Sequence, residues 1–167
     1  KDDLKNENVD ALKKGLVNLE RHIENVKKFG LPVAVAVNHF VADTDNEVKE
    51  LINACDNMGV KATLCTHWSN GGEGTKELAS HVVDLIDQKL ANFKFLYDEK
   101  TPLLKKVETV AKEIYRANEV VADSKIKDQL KSFEEAGYGN LPICVAKTQY
   151  SFSTDPNAKG CLLYTSP

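Results

Sequence analysis

The chain has 167 residues, 42% of them hydrophobic and 28% charged, with a formal net charge of -3. That length supports one domain with a real core or a piece of something larger, and the mixed charges form no basic stripe for nucleic acid. No apolar run approaches the roughly 20 residues of a membrane helix, so neither a membrane span nor a signal peptide is expected.

Val9, Leu12, Leu16, Leu19, Ile23 and Val26 recur at steps of three and four, one stripe of an amphipathic helix. Gly30 supplies its stop and Pro32 forbids continuation. The uncharged run Leu31 to Val37, LPVAVAV, suits a strand buried on both faces. Thr44 and Glu47 have capping-box spacing, and the helix they open carries Val48, Leu51, Ile52, Cys55 and Met58 before Gly59. Val60 to Cys65 reads as a second strand. A glycine-rich loop follows, then a third helix marked by Leu78, Val82, Leu85 and Ile86. Such alternation indicates an α/β fold with a mostly parallel sheet and flanking helices.

The second half is less regular. A helix is expected from near Pro102 through Leu103, Leu104, Val107, Val110, Ala111 and Ile114. A charged helix follows from about Asp123 to Glu135, closed by Gly137 and Gly139, and LPICVA, Leu141 to Ala146, is expected as a third buried strand. The closing residues 161–167 break register and read as a foreign tail after 1–160, the alternative being an ordinary strand cut short. Cys55, Cys65, Cys144 and Cys161 form no C-x-x-C pair. They are expected as reduced thiols in a reducing compartment, the first three buried; the expected location is the cytoplasm, with the mitochondrion the alternative.

The loop SNGGEGTKE does not meet the phosphate pattern G-x-x-x-x-G-K-[ST]: Ser69 stands where the first glycine belongs, and Thr75 and Lys76 are reversed. Its glycines instead let the backbone approach a ligand or itself. The only tryptophan is the stronger lead. A right-handed β-α-β crossover brings Asn38-His39-Phe40 and Thr66-His67-Trp68 to one sheet edge, where ligands of open α/β sheets bind. Two strand spacings of about 10 Å leave Phe40 and Trp68 a slot of roughly 7 Å for a flat heterocycle. The bland alternative is that both rings pack in the core. His39, Cys65 and His67 lack metal-ligand spacing, and Asp43 and Glu73 read equally as cation or substrate contacts and as solvated caps.

NLERHIENVKKFGLPVAVAVNHFVADTDNE, followed by CTHWSNGGEG, FLYDEKTPL, EIYRAN and GYGNLPICVAKTQYSFS, resembles the formate–tetrahydrofolate ligase family from about Leu12 to Gly160. The resemblance implies part of a P-loop NTPase-like ligase fold, with the phosphate loop upstream. It also implies synthesis of 10-formyltetrahydrofolate from formate, tetrahydrofolate and ATP with Mg through formyl phosphate, in an enzyme that is a homo-oligomer when whole. The isolated piece is expected to be inactive. By the same resemblance the folate ring lies between Phe40 of the N-x-F segment begun by Asn38 and Trp68. Leu64 lines the pocket, and Val41 stands where some relatives have proline. Lys147, Thr148 and Gln149 are further candidates at that edge. Two other classes remain open from the residues alone: a non-catalytic α/β binding or interaction module, and a different nucleotide-binding protein of similar fold.

Overall fold

The computed structural model describes residues 6–146; Lys147, Thr148, Gln149 and the proposed tail at 161–167 lie outside them. The chain divides into two compact units, the first ending at Phe93 and the second starting at Lys94.

In the first unit α1 spans Val9–Lys28, capped by the Asn8 side chain, which accepts the Ala11 N–H at 2.9 Å. The helix ends where Gly30 takes φ +72°. A side chain there would also run into the Asn92 carbonyl, because the Asn92 N–H donates to the Gly30 carbonyl at 2.8 Å. Phe29 stacks on Phe93, centroids 6.2 Å apart. Strand β1 is Val35–Asn38, helix α2 is Asp45–Asn57 and strand β2 is Ala62–Cys65. The two strands pair in parallel, Val35 opposite Ala62 and Asn38 opposite Cys65, so the expected β-α-β unit is present.

Both strands are shorter than their apolar runs. Pro32 has no N–H to give a ladder, and the first bond to β2 is the Val35 N–H to the Lys61 carbonyl at 3.1 Å. Val60, though buried, donates its N–H back to the Cys55 carbonyl of α2, so β2 begins after it. The expectation that β1 is buried on both faces fails. Val37 is buried, but its neighbours Ala36 and Asn38 are exposed, because the face opposite α2 has no cover at β1 among the described residues. In β2, Ala62, Thr63 and Cys65 are all buried. The core joins Val37, Cys55 and Ala62 to Leu19, Val35, Leu51 and Ile52 from α1, β1 and α2. Each fully buried aliphatic side chain contributes about 1.5–3 kcal/mol.

After β2 comes an unexpected element, the single helical turn α3, His67–Asn70. The glycines then wind through a tight 3-10 stretch, Gly71–Thr75, into α4, Lys76–Asp87. The second unit holds α5, Leu103–Glu113, and α6, Ser124–Phe133. Glu134 accepts the leading Leu103 N–H of α5 at 2.6 Å, and Asp123 caps α6 through the Ile126 N–H at 2.8 Å. The chain turns at Gly137, φ +91°.

The third strand expected at 141–146 is not formed, and the second unit holds no strand among the described residues. Its main-chain groups are committed elsewhere. The Leu141 N–H donates to the Tyr138 carbonyl, the Ile143 N–H to the Tyr97 hydroxyl, and the Leu141 carbonyl accepts the Lys106 ammonium. Outside any regular element, Cys144 is exposed, correcting the expectation of burial; Cys55 and Cys65 are buried as expected. None of the described helices is long and apolar enough to cross a membrane.

Candidate functional site

The parallel pairing of β1 and β2 brings the ends of both strands to one edge. There the His39 N–H donates to the Cys65 carbonyl at 3.1 Å, extending the ladder one step past Asn38. The strands are immediate neighbours, so their exits are one spacing apart, about 4.8 Å, rather than the two spacings anticipated. Any wider separation of the rings comes from the turns that carry them. Phe40 sits on the turn leaving β1 and Trp68 on α3 leaving β2. Neither ring is sealed in the core: Phe40 is 59% exposed and Trp68 58%.

The indole is nevertheless fixed. Its Nε1–H donates to the His39 carbonyl at 2.9 Å, tying Trp68 to the residue just before Phe40. Phe40 in turn is held by Asp43, whose carboxylate accepts the Phe40 N–H at 2.8 Å. The Asp43 N–H returns to the Phe40 carbonyl at 3.0 Å, closing the turn. Asp43 is therefore neither free nor a plain solvated cap. Glu73 is paired with Lys76 at 3.6 Å on an exposed surface.

Leu64 lies in register with Val37 and is 38% exposed, and Asn38 is exposed at the end of β1. Val41, at the tip of the turn, is 80% exposed. A groove of about 620 Å³ runs along α1, β1 and α2, and Asn38, Phe40, Asp43, Leu12, Leu19 and Leu51 are among the residues that line it. Trp68, Leu64 and Val41 do not line it. The structure thus gathers Phe40, Trp68 and Asn38 at one edge, with Leu64 one residue short of the end of β2, and leaves Val41 facing solvent.

The glycine loop approaches itself rather than an open cradle. The Thr66 N–H donates to the Gly74 carbonyl at 3.1 Å, and a Cβ on Gly74 would lie 2.6 Å from the Thr66 carbonyl carbon. Only glycine fits there, and this closure orients α3 and its tryptophan. Asn70 Nδ2 to Thr66 Oγ1 at 2.9 Å and Ser69 Oγ to the Thr66 carbonyl at 3.1 Å complete the knot. No helical period in the sequence marks α3, whose four residues are polar or aromatic. Its available signal was Thr66 followed by the hydrogen-bonding side chains Ser69 and Asn70. Among the described residues no group of three or more His, Cys, Asp or Glu is arranged to hold a metal ion.

A family model described as formate–tetrahydrofolate ligase matches residues 1–163. A formate–tetrahydrofolate ligase of Pelagibacter ubique (strain HTCC1062) is 76% identical over 160 residues, which cover 96% of this chain and 28% of the relative. Ligases of the same name from Ruegeria pomeroyi and Sinorhizobium fredii are 58% and 54% identical over the same span, each covered to 29%. The chain therefore spans under a third of the length of these curated relatives.

Proposed function

Since the chain belongs to the formate–tetrahydrofolate ligase family, we propose that it forms the folate-ring wall of an ATP-dependent ligase. That ligase joins formate to tetrahydrofolate, giving 10-formyltetrahydrofolate through formyl phosphate. The single observation that supports this reading most is the shared edge: two exposed aromatic rings on adjoining strand exits, one tethered to the backbone next to the other. A flat heterocycle between Phe40 and Trp68 gains about 0.5–1.5 kcal/mol per aromatic contact beyond the area it buries. Stacking restricts the ring's tumbling and aims its amine at an activated formyl group, an orientation effect worth several kcal/mol at best. Leu64 and Asn38 border the ring in this reading, and Val41 supplies a looser apolar flank.

The described residues do not suit a nucleotide's phosphates. Gly74 is taken up by the Thr66 backbone, and Lys76 faces Glu73. ATP and magnesium therefore belong, in this proposal, to parts of the ligase beyond this chain, and the residues here carry no phosphoryl step. Assembly of the whole enzyme as a homo-oligomer is part of the same proposal.

Because Trp68 is the only tryptophan of the chain, its emission reports on this edge alone. Titration with folate is expected to quench it strongly, and Phe40→Ala to raise the midpoint about tenfold, the loss of one stacking face with its buried area. An unchanged signal in folded protein would turn the reading toward a non-catalytic binding or interaction module.

A further inference from the structure

The two tethers described at the sheet edge meet on one chemical group. The His39 carbonyl, which accepts the Trp68 indole N–H at 2.9 Å, and the Phe40 N–H, which donates to Asp43 Oδ2 at 2.8 Å, are the two sides of a single peptide unit. A carboxylate, a peptide and an indole therefore form one continuous chain of hydrogen bonds. A carboxylate accepting from the N–H of a peptide enriches the electron density at its carbonyl, which then accepts more strongly from the next donor. The bond at the Asp43 end is charge-assisted, the stronger class. Both rings hang from this chain: Phe40 grows from the peptide itself, and Trp68 is clamped to its far side.

We propose that Asp43 is a positioning residue for the ring slot. Through the His39–Phe40 peptide it sets Phe40 and Trp68 as one unit, without touching the ligand. The inference rests on the ring-holding reading above and adds to it the residue that fixes the spacing. The competing role for Asp43 is support of α2, whose first residue lies two positions on. That helix start is complete without it: Thr44 Oγ1 accepts the Glu47 N–H, and Glu47 accepts the Thr44 N–H. Loss of Asp43 should therefore loosen the rings before it loosens the helix.

The test compares Asp43→Ala and Asp43→Asn with wild type in the 167-residue chain. The first readout is ligand-free hydrogen exchange by NMR at the Phe40 amide and the Trp68 indole N–H. Both are expected to exchange about tenfold faster in Asp43→Ala, the worth of a hydrogen bond to a charged group, and by less in Asp43→Asn, which keeps an acceptor oxygen. The α2 amides should keep their protection. Folate titration on Trp68 emission should show the same ranking, with the midpoint raised about tenfold in the alanine variant.

Unchanged indole exchange in Asp43→Ala, or faster exchange confined to α2, would overturn the proposal. Should the alanine variant fail to fold, Asp43→Asn decides: an indole that exchanges as in wild type overturns it, and a faster one upholds it. Equal quenching of wild type and both variants would sink the role of Asp43 and leave the ring-holding reading standing. No quenching of wild type, despite coupled exchange at the two sites, would instead sink the ring-holding reading and with it the purpose assigned to Asp43.

Discussion

Lys106 is fully buried, and its ammonium donates to the carbonyls of Gly139 at 2.7 Å and Leu141 at 3.0 Å. The charge lies 5.7 Å above the Tyr97 ring, whose hydroxyl accepts the Ile143 N–H. One lysine and one tyrosine thus hold the 139–143 segment in an irregular path. Lys106→Met keeps most of the stem's volume but leaves two carbonyls without their cation. It is expected to cost about 2–4 kcal/mol, read as a lower urea midpoint of the second unit with its slope unchanged. Nothing in the run LLKKVE told which lysine is buried, since the two sit side by side in a helical pattern and burial is decided by distant residues. The same blindness hid the path of LPICVA and the exposure of Cys144. The positions of Phe40 and Trp68 were legible because two strands and one right-handed crossover suffice to bring them to one edge. The role of Asp43 was not, because it depends on a hydrogen bond to a peptide whose other face is met from another element.

Among elements, the starts of α1 and α2 are joined through one side chain. Glu47 accepts the Asn8 N–H at 2.8 Å with one oxygen and the Thr44 N–H at 3.1 Å with the other. Thr44 Oγ1 also donates to Glu7 at 2.6 Å. These backbone bonds, that from Asn8 foremost and that from Thr44 next, hold the Glu47 carboxyl below its usual range. A carboxyl depressed in the folded state adds stability above its unfolded pKa, and that stability is lost as the pH falls through the folded value. Thermal stability should therefore decline more steeply below pH 4.5, the ordinary value of the group, in wild type than in Glu47→Gln. Identical acid profiles would show that the bonds do not persist in solution. Thr44→Ala, which removes the other half of the box, should cost about 1 kcal/mol at neutral pH. Helix limits were readable from sequence because caps and stops such as Thr44, Gly30 and Gly59 are local. Strand limits were not, since Val60 and Pro32 look apolar and strand-like but make no ladder bond.

For the whole molecule, the decisive fact is the narrow sheet. Among the described residues the two parallel strands pair only with each other, and β1 exposes Ala36 and Asn38. The first and last bonds to β2 use the N–H groups of Val35 and His39. In a parallel ladder the alternate groups, of Ala36 and Asn38, then point to the open edge. Val82, Val83 and Ile86 of α4 are exposed as well. Unpaired edges and apolar faces of this kind associate with whatever chain is near. The 167-residue chain should sediment with rising apparent mass between micromolar and near-millimolar concentration. Ala36→Pro removes a donor from the open edge while sparing the ladder bonds of Val35 and His39 to β2, and it should slow that rise. A monodisperse, cooperatively melting monomer across the range would contradict this.

The pairing of Val35 with Ala62 also sets an order of assembly. The turns of α2 close over neighbours in sequence, within about a microsecond, whereas its two flanking strands must wait for the ends of a long loop to meet. In a refolding experiment the helical circular-dichroism signal should thus recover ahead of the Trp68 emission. The indole finds its acceptor only after β1 and β2 have zipped together, which makes this lone fluorophore a clock for the last step of the crossover.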